Sequence, residues 1–169
     1  MKEAWKHISG YDRKYSVSNL GKIKNNITKR LLTLTHKGDG YISIRLNYRG
    51  HGKTYLVHRL VAIEFCKDEG VFRELQVDHI DGNKTNNSSD NLRFVTSSQN
   101  SWNRGVSKRK KSSQFRGVYK NPHKGWKVEI TKDYKTYFLG CYYTELEAAK
   151  VYNSKASELY GKFARLNVV

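Results

Sequence analysis

The 169-residue sequence predicts an α+β chain built of modules. Three observations predict it. Strand-like alternation marks the first fifty residues, the run RGVSKRKKSS after residue 103 holds almost nothing that could enter a core, and a helix with a legible cap follows three further strand candidates. A single hydrophobic core is comfortable at roughly 100 residues, so this length allows one medium domain or two or three small modules. The interrupting run favours modules.

From Tyr41 to Tyr48, Ile42, Ile44, Leu46 and Tyr48 fall on one face and Ser43, Arg45 and Asn47 on the other, as in a half-buried strand. Gly38-Asp39-Gly40 and Gly50-His51-Gly52 punctuate it on either side, and Leu32 and Leu34 alternate with Thr33 and Thr35 upstream. Residues 1–57 therefore read as a small antiparallel sheet, with a β-rich module over 1–50. The period then changes: Val57, Leu60, Val61 and Phe65 share a helical face. Residues 75–103 show a strand ending at Asp78 and His79, a Gly/Asn/Ser-rich loop, and a second strand from Asn91 to Val95. A helix capped by Thr96-x-x-Gln99 follows, with Asn100 in its first turns. This gives a second module over 51–103 and a basic linker over 104–112. Over 113–169, strands are predicted around 115–120, 125–131 and 136–140. The closing helix opens with the capping box Thr144-x-x-Glu147, carries Ala149, Tyr152, Ala156 and Leu159 on one face, and ends at Gly161, so a three-stranded antiparallel sheet packs on one helix.

Thirty-two Lys and Arg against 15 Asp and Glu give a formal charge of +17, which calls for a polyanionic partner, nucleic acid above all. The excess is spread out: 17 basic and 10 acidic side chains in 1–103, five basic and no acidic in 104–111, ten and five in 112–169. A contact surface along the whole length is implied. Cys66 and Cys141 fall in different modules with no partner at metal-ligand spacing, so neither a zinc staple nor a disulfide is expected. The opening MKEAWKHISGYD lacks an apolar targeting segment and no stretch approaches the ~18 apolar residues of a membrane span. The expectation is a soluble protein in a reducing compartment.

The stretch LQVDHIDGNKTNNSSDNLRFVTSSQNSWN concentrates the chemistry. Cutting a phosphodiester requires an activated water, a cation to offset charge on the phosphate, and groups that hold both in line. Asp78 and Asn100 supply hard oxygen ligands suited to Mg²⁺ or Mn²⁺, whereas zinc prefers nitrogen and sulfur. Histidine ordinarily titrates near neutrality, which suits His79 to the general base. Taken together the residues resemble the ββα-metal fold of HNH nucleases, in the version found in phage homing endonucleases. The resemblance implies that His79 activates water, that Asp78 and Asn100 bind the metal, and that Asn91 orients His79 or the loop backbone near the scissile phosphate. Many HNH nucleases carry histidine where this chain has Asn100; an oxygen ligand there is the pattern of the homing subgroup. His58, on the preceding helix, reads as structural.

Trp5-x-x-Ile8-x-Gly10-Tyr11 and Tyr15-x-Val17-Ser18-Asn19-x-Gly21-x-Ile23-Lys24 resemble the modular DNA-binding motif that often precedes HNH domains. In so small a module Trp5, Tyr11 and Tyr15 are needed as core, leaving Lys22, Lys24, Arg45 and Arg49 for phosphates. Lys108, Arg109, Lys110 and Lys111 of the linker would track the backbone. Residues 113–169 resemble the DNA-binding domain of plant APETALA and ethylene-response factors. The resemblance rests on Phe115-Arg116-Gly117-Val118, Trp126-x-Val128-Glu129-Ile130, Leu139-Gly140, Glu147-Ala148-Ala149-x-x-Tyr152 and Ala164-Arg165-Leu166-Asn167. In that family the sheet enters the major groove, where such a ribbon fits. Alternation turns Trp126, Val128 and Ile130 towards the helix and leaves Lys127, Glu129 and Thr131 on the opposite face for DNA. Arg116 and Lys127 are the foremost contact candidates, with Tyr119 and Thr131 beside them. Tyr119, Asn121, Thr131 and Thr136 stand where the family has arginines, so its base preference does not transfer.

These readings converge on a monomeric, site-specific endonuclease for double-stranded DNA, cutting one strand per chain. The resemblance adds the role of a homing endonuclease, phage-encoded and active in the cytoplasm of a bacterial host. The alternative is a sequence-specific DNA-binding regulator with an inactive nuclease core. Retention of Asp78, His79, Asn91 and Asn100 together argues against it. A basic RNA-binding protein is a third class, but the base-splaying aromatic motifs of RNA readers are missing.

Overall fold

The computed structural model describes residues 2–66, 74–105 and 112–169. They fall into two compact units, within residues 1–96 and 97–169.

In the first unit β1 (Trp5–His7), β2 (Tyr15–Ser18) and β3 (Ile23–Asn25) form one antiparallel sheet in that order. A second contains β4 (Thr35–His36), β5 (Ile42–Tyr48) and β6 (His51–Leu56), with β5 central. The predicted alternation of β5 holds for Ile42, Ile44 and Leu46, which are buried, and for Arg45 and Asn47, which are exposed. Ser43 departs from it. Paired on both edges, β5 buries that residue too, and its hydroxyl donates to the Thr35 carbonyl at 3.4 Å. Helix α1 (Val57–Phe65) follows β6 without a break and buries Val57, Leu60, Val61 and Ala62. β7 (Gln76–His79) and β8 (Leu92–Val95) then pair antiparallel, with Asp78 opposite Arg93 and His79 opposite Leu92.

The division in sequence near residue 50 is not a division in packing. Tyr11, Tyr15, Val17 and Ile23 from the first fifty residues share one hydrophobic cluster with Val57, Leu60, Val61, Val77 and Leu92. Tyr11 and Tyr15 are buried core residues, their rings edge to face at 5.4 Å.

The second unit begins with α2 (Ser97–Trp102), a helix of six residues. β9 (Val118–Asn121), β10 (Gly125–Lys132) and β11 (Lys135–Tyr142) form an antiparallel sheet with β10 central, and α3 (Glu145–Tyr160) lies on it. Both halves of the predicted capping box form. Thr144 Oγ1 accepts from the Glu147 amide at 3.2 Å, and Glu147 Oε2 accepts from the Thr144 amide at 3.3 Å. Val118, Val128 and Ile130 of the sheet meet Ala148, Ala149, Tyr152, Ala156 and Tyr160 of the helix. Gly117 fixes how closely they approach. Its φ is +72°, and a Cβ there would lie 2.1 Å from the Tyr152 ring, so no other residue fits.

Both cysteines are free. Among the described residues no helix is long and apolar enough to cross a membrane.

Candidate active site

Antiparallel pairing of β7 with β8 sets the two central side chains. Arg93, directly across from Asp78, donates to its Oδ2 through both Nε (2.9 Å) and a terminal nitrogen (2.8 Å). Both side chains are largely withdrawn from solvent. A buried carboxylate held in this way loses its rotational freedom. Sequence reasoning missed Arg93.

His79 is buried next to it, its Nε2 3.1 Å from Asn87 Oδ1. An amide oxygen can only accept, so Nε2 is the donor in this contact and Nδ1 is the nitrogen turned to other partners. Asn87 is itself buried and braced from the N-terminal segment: the Ser89 amide donates to the Asn19 carbonyl at 2.8 Å. A Cβ on Gly21 (φ +84°) would sit 2.9 Å from that of Asn87. The turn at 18–21 therefore backs the residue that orients His79. Nothing in the sequence separates Asn87 from the other loop asparagines; only its burial does.

The His79 ring also packs on His58, 4.9 Å away and edge to face, and lies 6.1 Å from Tyr41. His58 is buried, and its Nδ1 has no hydrogen-bond partner among the described residues. Burial first, then the neighbouring His79 and Arg59, pushes it down to about 4. A neutral imidazole with a packing role agrees with the structural reading of this residue.

Asn91 turns its side chain onto the loop. Its Nδ2 donates to Asp81 Oδ1 and to the Asn86 carbonyl, both at 2.9 Å, and its Oδ1 accepts from the Asp81 amide at 3.0 Å. Of the two roles predicted for it, holding the loop backbone is the one these contacts serve. Asp81 is the hub. Burial pushes its carboxyl up, but hydrogen bonds from the Asn86 side chain, the Asn83 amide and the Asn91 side chain outweigh this and hold it below the usual carboxylate range.

Asn100 is the fourth residue of α2 and half-buried in the second unit. Among the described residues no three His, Cys, Asp or Glu side chains cluster as a metal cage. The two ligands expected from the sequence, Asp78 in the first unit and Asn100 in the second, are by type a carboxylate and an amide oxygen. That set fits a hard cation such as Mg²⁺, which commonly takes one or two protein oxygens and fills its shell with water and phosphate.

The predicted DNA contacts differ in what they touch. Lys22 pairs with Glu3 at 3.2 Å, Lys24 lies over the Trp5 ring at 4.5 Å, Arg45 is exposed on β5, and Arg49 reaches Asp12 at 3.4 Å. In the second unit Lys127 pairs with Glu129 at 3.0 Å and lies over Tyr119, while the Thr131 and Thr136 hydroxyls share a hydrogen bond of 2.9 Å. Arg116 turns elsewhere: its guanidinium donates to the carbonyls of Ser101, Trp102 and Arg104. Lys108, Arg109, Lys110 and Lys111 lie outside the described residues.

Comparison with known proteins matches two segments of the chain. Residues 3–47 match the NUMOD4 motif and residues 55–102 the HNH endonuclease model. The DNA endonuclease I-HmuI of Bacillus phage SP01 is 46% identical over 114 residues, covering 66% of this chain and 64% of that protein. An HNH endonuclease of Acanthamoeba polyphaga mimivirus is 41% identical over 96 residues, covering 57% and 49%. A solved structure described as DNA binding and cleavage by the HNH homing endonuclease I-HmuI superposes with a TM-score of 0.52 at 50% identity, covering 55% of this chain and 52% of that one. The chain thus spans less than two thirds of the length of these relatives.

Proposed function

We propose that the chain is an HNH endonuclease, a site-specific homing endonuclease that hydrolyses a phosphodiester of double-stranded DNA and nicks one strand per monomer. The observation that carries the proposal is the buried Asp78–His79 pair at the end of β7, each member held by its own partner, inside the segment that the HNH model matches.

In this reading His79 takes the proton of the attacking water on Nδ1, while Asn87 holds the ring from the opposite nitrogen. Asp78 and Asn100 would hold the divalent cation, Mg²⁺ or Mn²⁺ rather than zinc for this oxygen donor set. When bound, that cation would supply charge neutralisation at the scissile phosphate. Arg93 keeps Asp78 aimed, and Asn91 closes the 80–91 loop through Asp81 so that its backbone keeps one shape near the phosphate. Recognition falls to the flanks: Lys22, Lys24, Arg45 and Arg49 in the first unit; Tyr119, Lys127 and Thr131 on the C-terminal sheet, read as the major-groove ribbon that its resemblance implies; and the 104–112 linker between them.

Incubating supercoiled plasmid with the protein and with His79→Ala, each in Mg²⁺, Mn²⁺ or EDTA, tests this. Open circles are expected with the wild type and metal, and none with EDTA or with His79→Ala. Linear product under the same controls would replace the nickase by paired cuts. Tight binding without cleavage, across a library of targets, would favour the regulator with an inactive core.

A further inference from the structure

We propose that Arg116 is a positioning residue for Asn100, holding the helix that carries it, and not a contact to DNA. This rests on the reading of Asn100 as a metal ligand.

Helix α2 cannot stand alone. Six residues are far below the ~12–15 at which even good helical sequences become marginally stable in water, and the last carbonyls of any helix lack partners within it. Arg116 fills that need. One terminal nitrogen donates to the carbonyl of Trp102 and, at 2.8 Å, to that of Arg104; the other donates to the carbonyl of Ser101 at 3.1 Å. Ser101 is the residue next to Asn100. A planar fork spreads over three carbonyls where a single ammonium could not, and its charge opposes the negative end of the helix. The Trp102 ring stacks on Tyr160 of α3 at 4.9 Å and 12°, fixing the same turn from its side chain.

Arg116 is itself clamped. Its amide donates to Asn167 Oδ1 at 2.7 Å and its carbonyl accepts from Asn167 Nδ2 at 3.2 Å. Asn167 in turn exchanges two hydrogen bonds with Asn153 of α3, at 2.7 and 2.9 Å. A continuous path therefore runs from α3 through Asn153, Asn167 and Arg116 to the turn after Asn100, all within the second unit. The sheet-and-helix module does more than present cations: it orients a ligand of the nuclease motif. Three of the five guanidinium donors are spent on this, which removes Arg116 from the DNA contacts that sequence alone assigns to it.

The test uses the full chain in a His79→Ala background, which blocks turnover, bound to plasmid DNA. Mn²⁺ binding is followed by electron paramagnetic resonance, and DNA affinity is measured separately in EDTA. Partners that orient ligands typically cost 10–100-fold in metal affinity when lost, so Arg116→Ala is expected to weaken Mn²⁺ binding by roughly tenfold or more while DNA affinity in EDTA stays within about twofold. Arg116→Lys keeps the charge a phosphate would need but not the fork, and is expected to weaken Mn²⁺ binding as well. Unchanged Mn²⁺ binding with a loss of DNA affinity that Lys restores would overturn the proposal and return Arg116 to the DNA interface. Asn100→Ala in the same assay guards the premise: if Mn²⁺ binding survives it, the ligand reading falls and the positioning role with it.

Discussion

In the β7–β8 hairpin the polar side chains turn onto one another: Arg93 onto Asp78, Asn87 onto His79, and Asn91, Asn86 and the Asn83 amide onto Asp81. In the β9–β11 sheet they face outward. Lys120, Lys127 and Lys135 lie over the rings of Trp126, Tyr119 and Tyr137, which steady the stems and leave the ammonium groups at the surface. Both regions are built of antiparallel strands. The difference is where the charge lies, turned onto internal geometry in the first and held at the surface in the second. Chemistry at a phosphate needs groups fixed before the substrate arrives, whereas backbone recognition tolerates cations that settle on contact.

If that contrast is right, the hairpin should respond to mutation through stability and rate, and the sheet through affinity. The largest effect is expected from Arg93→Ala, which leaves the Asp78 carboxylate buried without its cation. Breaking a buried pair from one side costs about 3–5 kcal/mol. Thermal denaturation should show it, and a loss under about 1 kcal/mol would mean that Asp78 is hydrated and not preorganised.

The second effect is a pH dependence in the first unit. His58 titrates at about 4 when folded against an ordinary 6.5, so between these values the unfolded chain takes up a proton that the native state refuses. Stability should be flat with respect to this group above pH 6.5, fall as the pH drops towards 4, and level off below it. The total is on the order of 3 kcal/mol. His58→Phe should flatten that slope in denaturation curves collected from pH 4 to 7; an identical slope would assign it to other groups.

Where the sequence was legible, the determinants were local. The Thr144–Glu147 cap, the alternation of Trp126, Val128 and Ile130, and the placement of Asp78 and His79 at a strand end all depend on residues within a turn or a strand of one another. Arg93 was not legible because its partnership depends on β-register across the 80–91 loop, which local pattern does not encode. Asn87 was hidden among like residues, and its burial comes from a turn some 66 residues upstream in the chain, at Gly21. Arg116 looked like a surface cation until the carbonyl end of α2 was placed beneath it.

Asn87→Ala asks whether the hairpin contacts matter for rate. Losing the acceptor for Nε2–H frees the His79 tautomer and ring while leaving the imidazole in place. Cleavage is expected to fall about 10–100-fold, by analogy with the loss of a partner that orients a metal-bound histidine, with DNA affinity unchanged. Single-turnover cleavage on a fixed plasmid would measure this. A loss confined to binding would show that Asn87 serves the DNA and not the base.

Lys127→Ala probes the other side of the comparison and should have the smallest effect. Its ammonium is shared between Glu129 at 3.0 Å and the Tyr119 ring at 5.6 Å, both at the surface, so little folding stability depends on it. If it settles on a phosphate, the slope of log affinity against log salt should decrease by about one, with the cleavage rate at saturating DNA unchanged. A salt slope equal to wild type would place Lys127 off the DNA and shift the recognition face of the sheet towards Lys120 and Lys135. A reduced cleavage rate at saturation would break the contrast itself, because it would mean that a surface cation of the sheet takes part in positioning the chemistry.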